Sequence, residues 1–523
     1  MLRGFNKFIN ENKTFVITYC LILLGFIINL IQLKDRSIWL DESISWRYAT
    51  LTLKDRLLYI KTRDKHPPLY YNFLAVWIKY FGSSEISLRF PSLIFGSLSL
   101  VLVYHFCRSY LNESSGLISV SLLIFFPYFM YYEQEARMYT MLLFFSIITM
   151  LSLLNFLTRK YFLISLIIST LSAITSIYTH YYGLLNISLI YVPIIVCLGY
   201  MKEWKKFILT ISSIIVVYIS LIPWYSTIKF QTNSFPVGGV QKVTFSRVLN
   251  VTYECFSFTG IDRDNGILFG SLKLVVLIIS IYSVILSNIK ILNQYTKGSS
   301  TVAAQKIFLY LESIILLGIT VPLVISVINF PFDQSVYNNR YIIFPIILSK
   351  IIVAYSLNDF FSHIQFHDFK ILKISNIKVK INCIDLFKVL TIVTILLLQV
   401  SYISTTNHWE FQYNQISYFI ENNSQDYMPI YIEPFFYRDV FLYYLNSSWQ
   451  SYVKPTYYTN ASFIKYLGNI NFHKGWYLSV DNNTTSLLFL WLMHNSFIDS
   501  SFTYVNIADT TIYRLYNASN EVM

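Results

Sequence analysis

Long apolar runs separated by short basic loops constrain this chain more than any other feature. Runs of about 17–24 residues recur at 15–33, 90–110, 115–131, 138–157, 162–178, 184–200, 207–224, 271–288, 305–328, 341–357 and 387–404. Each is long enough to cross a hydrocarbon core as a helix. A spanning chain must satisfy its own backbone polar groups, so helices are the natural form for such runs. Composition agrees: mean hydropathy is +0.50 and only 13% of residues are charged, well below the roughly 25% of soluble domains. The formal charge of +12 lies largely in short clusters between the runs. That pattern orients membrane proteins and argues against a nucleic-acid binder.

Placing the N-terminus in the cytoplasm puts Arg108, Arg159-Lys160, Lys202, Lys205-Lys206, Lys290, Lys297 and Lys370–Lys380 in cytoplasmic loops, as the positive-inside rule requires. The span count is then odd and the C-terminus is outside. The first apolar run is long and has no small-residue cleavage site after it, so it reads as an uncleaved helix. The stretch from Pro68 to Phe81 is too short to span. Its aromatic residues and lysine suit a helix lying in the interface. The five cysteines form no CxxC motif, so neither a zinc site nor a disulfide framework is indicated.

Residues 1–404 are thus expected to form a bundle of about eleven transmembrane helices. Residues 405–523 form a polar tail of strand-like runs (429–432, 475–480) and helix-like ones (437–445, 486–493). About 120 residues suffice for a small external α/β domain. Sequons at Asn422, Asn446, Asn460, Asn482, Asn483 and Asn517 fit an outward face.

Charged residues on the expected outer side are the candidates for chemistry, because ionisable groups at a membrane edge are costly. Trp39-Leu40-Asp41-Glu42 follows the first run directly. Glu133-Gln134-Glu135-Ala136-Arg137 lies between two later runs with almost no loop. The ordinary reading of Asp41 is a solvated carboxylate or helix cap, and that of Glu133, Glu135 and Arg137 a salt bridge in a tight turn. The functional reading is a carboxylate with a phosphate-binding arginine, whose planar fork suits phosphate oxygens. Arg340 starts another run on the same face, where an interfacial anchor is the ordinary alternative. His180, in Tyr178-Thr179-His180-Tyr181-Tyr182-Gly183, is more ordinarily a buried or interfacial histidine than a ligand. The many lysines of the first loop, Lys54 and Lys61 among them, fit headgroup contacts or a polyanionic ligand.

Six motifs occur in order: Trp-Leu-Asp-Glu-Ser at 39–43, His-Pro-Pro-Leu-Tyr-Tyr at 66–71, Gly-x-x-Glu-x-x-x-Arg-x-Pro-Ser at 82–92, Glu-Ala-Arg-Met-Tyr at 135–139, Thr-His-Tyr-Tyr-Gly at 179–183 and Arg-Tyr at 340–341. Together they resemble the type C (GT-C) glycosyltransferases. More narrowly, they resemble the branch of protein O-mannosyltransferases and lipid A aminoarabinose transferases. The resemblance covers about residues 10–200 well and 330–345 loosely. It implies a GT-C fold, a sugar carried on a polyprenyl phosphate, and a multi-pass plasma-membrane location. It also implies that Asp41 matches the first-loop catalytic carboxylate, with Glu42 beside it, and that Arg137 matches the arginine of the second external motif. His66 stands where the aminoarabinose transferases carry a phosphate-meeting lysine. Tyr139 stands where they carry an aspartate, leaving Glu135 or Glu133 to replace that acid.

The site expected from sequence therefore has Asp41, Glu42 and Glu135 as catalytic carboxylates. Arg137, Arg340, His66 and Arg89 would meet the donor phosphate, and Glu133, Tyr139 and His180 would line the acceptor or sugar pocket. Asp41 as general base, with one displacement inverting the anomeric centre, is the simplest chemistry. No cofactor is certain, although Asp41, Glu42 and Glu135 could hold Mg or Mn. Expected partners are the polyprenyl-linked sugar, a glycan, lipid or protein acceptor, and membrane lipids, with no nucleic acid. The alternative is a lipid-glycan flippase or transporter, which predicts repeats and midplane charges; no repeat is visible. An oligosaccharyltransferase would carry paired aspartate motifs and a Trp-Trp-Asp tripeptide, and neither is seen.

Overall fold

A computed structural model describes residues 12–158, 162–234, 244–257, 267–296, 303–328, 339–363, 413–422, 430–433, 437–455, 475–480, 505–507 and 510–515. The chain divides into two compact units. One comprises Met1–Gln32, Thr52–Trp77 and Arg89–Thr406; the other Leu33–Leu51, Ile78–Leu88 and Asn407–Met523.

The first unit is a polytopic helical bundle. Eight described helices are long and apolar enough to cross a membrane, and one bent pair together could form a ninth span. The helix over Leu163–Thr179 is apolar but shorter, and the run at 387–404 lies outside the described residues. In chain order the helices that matter here are α1 (Lys13–Gln32), α2 (Leu40–Thr50), α3 (Leu53–Arg63), α4 (Leu69–Phe81), α5 (Glu85–Tyr110), α6 (Glu113–Ile124), α7 (Pro127–Glu133), α8 (Tyr139–Thr158), α9 (Phe162–Thr179), α10 (Tyr182–Tyr200), α11 (Trp204–Ile219), α12 (Tyr225–Ser234), α13 (Phe245–Phe256), α14 (Ile267–Thr296), α15 (Ala303–Ile328) and α16 (Ile343–His363).

The run expected as one span at 115–131 is two helices, α6 and α7, bent by 70°. Pro127 explains the break. It has no N–H to continue the ladder, and its ring disfavours helical backbone at the preceding residue. Phe126 is accordingly extended, with φ −71° and ψ 112°.

Apolar surface alone gives little drive for helices to associate in lipid; close packing and interhelical hydrogen bonds do that work. Helices α8 to α11 are joined in this way. Thr149 and Ser172 hydroxyls lie 3.0 Å apart, Asn186 donates to Ser146 at 3.1 Å, and Tyr191 reaches both Ser169 and Ser213, at 3.0 and 2.9 Å. Lys350, buried in α16, donates to the carbonyls of Glu254, Cys255 and Ser257 at the end of α13. Its ammonium also sits 4.2 Å from the Phe126 ring centre. A cation there satisfies carbonyls that the helix leaves without partners.

The second unit contains a five-stranded sheet in the order β2-β1-β3-β5-β4. The strands are β1 (Ile430–Glu433), β2 (Val453–Pro455), β3 (Gly475–Val480), β4 (Val505–Ile507) and β5 (Thr510–Leu515). β1 pairs in parallel with β2 and β3, whereas β5 pairs antiparallel with β3 and β4. Helices α17 (Tyr413–Asn422), α18 (Arg438–Tyr444) and α19 (Ser447–Gln450) accompany it. Their Ile416, Ile420, Phe441 and Trp449 form a core with Ile430, Ile432 and Leu478 of the sheet. Three expected tail elements thus appear near their expected places; the one at 486–493 lies outside the described residues. The unit also includes α2 and the turn at 82–84, which precede residue 405.

Candidate active site

In the helical unit, the first loop builds a buried charged cluster. Thr52 caps α3, its hydroxyl accepting from the Asp55 amide at 3.2 Å. The helix stops at Asp64, which is extended at φ −126° and ψ 169°. Pro67 and Pro68 then prevent its resumption before α4. The chain bends at residues 65 and 66. Asp64 and His66 meet there, with His66 Nδ1 2.7 Å from Asp64 Oδ1. The Lys65 amide donates to the same oxygen at 2.6 Å.

Arg137 lies next in this cluster. It follows a tight turn in which its amide donates to the Glu135 carbonyl at 2.7 Å. Its own carbonyl accepts from Ser92 at 3.1 Å, and its Nη1 donates to the Tyr71 hydroxyl at 3.3 Å. Burial alone would raise the Asp64 pKa. The charge and hydrogen bond of His66, the Arg137 charge and the Tyr71 hydroxyl overcome it and hold Asp64 at about 2. Asp64 is therefore a carboxylate throughout the physiological range.

His180 sits at the turn between α9 and α10. A Cβ on Gly183 would lie 2.6 Å from the Ser176 carbonyl oxygen, so only glycine allows this tight return. The His180 ring lies 5.1 Å from His66, 6.0 Å from Tyr139 and 5.2 Å from Tyr341, centre to centre. Its Nδ1 accepts from the Tyr182 amide at 3.0 Å. Burial, together with the positive charges of His66, Arg137 and Arg340, pushes its pKa well below 6.5 despite Asp64. The ring is thus neutral, and its remaining proton belongs on Nε2. Nε2 is buried, with no hydrogen-bond partner among the described residues. Arg340 forms a single 3-10 turn with Asn339 and Tyr341 before α16, its guanidinium 6.0 Å from the Tyr341 ring centre.

The structure therefore brings together His66, Arg137, Tyr139, His180 and Arg340 of the residues singled out from sequence. Glu135 is buried, as is Arg89 in α5. Glu133 faces helix packing: its Oε2 accepts from Asn29 of α1 at 3.0 Å, and its side chain lies against Gly96 of α5. Asp64 was missed by sequence reasoning. Its signal was the Asp-x-His spacing ahead of two prolines, which favours extended backbone.

In the second unit, Asp41 and Glu42 occupy the first turn of α2. They differ in exposure. Glu42 is fully buried, and its Oε2 accepts from the Trp39 amide at 3.3 Å. Asp41 is half-buried. Glu42 therefore caps its own helix, leaving Asp41 as the more accessible acid. Among the described residues no three His, Cys, Asp or Glu side chains stand close enough to hold a metal ion. The divalent-cation option gains no support from this geometry.

Residues 65–226 match the family profile described as dolichyl-phosphate-mannose-protein mannosyltransferase. No curated protein sequence matches the chain significantly. Among solved structures, ArnT from Cupriavidus metallidurans in the apo state aligns with a TM-score of 0.57 at 12% identity, covering 97% of this chain and 98% of that one. The same protein bound to undecaprenyl phosphate aligns with a TM-score of 0.56 at 12% identity, covering 96% and 98%. The chain is an integral membrane protein with the fold of the GT-C glycosyltransferases.

Proposed function

We propose that this protein transfers a single sugar from a polyprenyl-phosphate donor to an acceptor hydroxyl at the outer membrane face, with inversion. The observation that carries this reading is the buried cluster of Asp64, His66, Arg137 and His180, set in a fold whose solved example holds undecaprenyl phosphate. Arg137 brings a permanent positive charge to it. A lipid-linked phosphate brings negative charge to the membrane edge, and an unpaired charge there is costly.

In this mechanism the acceptor oxygen attacks the anomeric carbon while the bond from that carbon to the phosphate oxygen breaks. The phosphate leaves with the bonding pair. Arg137 and Arg340 balance its charge, which develops as the bond opens. His180 offers a neutral N–H to a phosphate or sugar oxygen. Asp41 takes the hydroxyl proton as general base. Arg89 and Glu135 support this arrangement from buried positions, and Tyr139 packs beside His180.

One observation favours a second assignment of the base. A carboxylate 2.7 Å from an imidazole nitrogen orients that ring for proton transfer, so His66 backed by Asp64 is the rival to Asp41. Mass spectrometry of surface glycans from cells with and without the gene tests the reaction. Loss of one sugar from a glycoconjugate is expected, and an unchanged glycan profile would overturn the reading. Asp41→Asn and His66→Asn in the same assay separate the two bases.

A further inference from the structure

We propose that Tyr444, in the tail, is a positioning residue for Asp41: its hydroxyl bridges the Ile38 amide and the Glu85 carboxylate and so fixes where the Asp41 helix begins. The proposal rests on Asp41 being the base. α2 has 11 residues, a length that is marginal as an isolated helix in water. Glu42 caps its start locally, through the Trp39 amide at 3.3 Å. A cap alone does not place a short helix, and the tail adds tertiary contacts ahead of its start and along its length.

Three residues before Asp41, the Ile38 amide donates to Tyr444 Oη at 2.6 Å. The Tyr444 hydroxyl in turn donates to Glu85 Oε1. One residue earlier, Ser37 Oγ donates to Asn414 Oδ1 of α17 at 2.9 Å. Further along α2, the Trp46 ring meets Tyr443 edge-on, with centres 5.2 Å apart. Tyr443 Oη donates to the Ser83 carbonyl at 2.8 Å. Two neighbouring tyrosines of α18 thus tie α2 to the turn ahead of α5. Burial and the Glu85 carboxylate push the Tyr444 phenol up, so it remains a donor. A base must stand within hydrogen-bond reach of its proton, and a displacement near 1 Å can cost about 10²-fold in rate. The tail then serves catalysis directly instead of acting as an appended binding module.

The test compares Tyr444→Phe, Glu85→Ala and Glu85→Gln in the full-length protein. Transfer is read as glycan product in cells, normalised to protein level. Hydrogen exchange is read on the purified protein. Tyr444→Phe and Glu85→Ala should each lower product by about tenfold, while Glu85→Gln, which keeps an acceptor, stays within about twofold. Amides Ile38–Glu42 should exchange faster in Tyr444→Phe, with β3 still protected. If Tyr444→Phe also loses β3 protection, the Glu85 pair decides, since it leaves the tail's own chain intact. Wild-type product in Glu85→Ala, or equal losses in Glu85→Ala and Glu85→Gln, would overturn the proposal, as would unchanged exchange at Ile38. Asp41→Asn runs in parallel. Full product from it refutes the base assignment, while the exchange at Ile38–Glu42 still reports whether Tyr444 holds the helix.

Discussion

The first loop carries two aspartates in opposite settings. Asp41 stands half-buried in the first turn of α2, beside a glutamate that is turned inward to cap the helix. Asp64 is buried in extended chain, bonded to His66 and within the field of Arg137. A buried, paired carboxylate can orient a neighbour and balance charge, but it is poorly placed to collect a proton. An accessible one can do so. In the proposed mechanism, proton transfer accordingly falls to Asp41, and Asp64 organises the charged cluster around His66 and Arg137.

The largest expected effect tests that division. Asp41→Asn should lower transfer by about 10²–10⁴-fold, the usual worth of a general base, and leave affinity for a polyprenyl-phosphate analogue within about twofold. Product formation by purified protein is the measurement. Near-normal turnover in Asp41→Asn, with loss in His66→Asn, would reverse the roles of the two regions.

The second effect concerns the phosphate. Arg137→Ala should weaken binding of the same analogue by about 10- to 100-fold, since hydrogen bonds to charged groups are worth roughly 1.5–3 kcal/mol. Arg340→Ala should act in the same direction. Exposed Lys54 and partly exposed Lys61 should matter little, because surface charges contribute about 0–1 kcal/mol. Equal losses in the lysine and arginine variants would mean a diffuse electrostatic surface instead of a formed phosphate site.

Much of this was legible in the sequence because hydrophobic length and motif order are local properties. Eight described helices fall on expected spans, the strand-like runs at 429–432 and 475–480 match β1 and β3, and motif order singled out His66, Arg137, His180 and Arg340 as candidates. The bend at Pro127 was also written locally but was obscured by the apolar run on both sides. Other features depend on partners far along the chain. Nothing near Lys350 marks it as the cap of a helix about 95 residues earlier. Nothing near Tyr444 points to Ile38, 406 residues away. Glu133 and Glu135 look equivalent in sequence, yet the carboxylate of Glu133 turns to α1. Direction of this kind is set by packing.

A third effect sharpens the role of Asp64. Asp64→Asn keeps the shape and removes the charge, so His66 loses its ionic partner while the fold is retained. Transfer should fall by about tenfold, in line with one charge-assisted hydrogen bond. A loss as large as that of Asp41→Asn would make the Asp64–His66 pair the proton-transfer unit.

The smallest effect is on stability, and it follows from the same pair. An unfolded aspartate ionises near 3.8, whereas Asp64 in the folded protein ionises near 2. Between those values the unfolded chain binds more protons than the folded one, so stability rises with pH there. The contribution, about 2 kcal/mol, is complete above the unfolded value and is lost as pH falls through about 2. The melting temperature of wild type should therefore exceed that of Asp64→Asn at pH 5, and the gap should narrow steadily on acidification below pH 4. Between pH 5 and pH 8 the gap should be flat with respect to Asp64, because its carboxylate is ionised in both states. A gap that stays constant down to pH 2 would mean that His66 and Arg137 do not stabilise the Asp64 charge, and the distinction between the two aspartates would lose its physical basis.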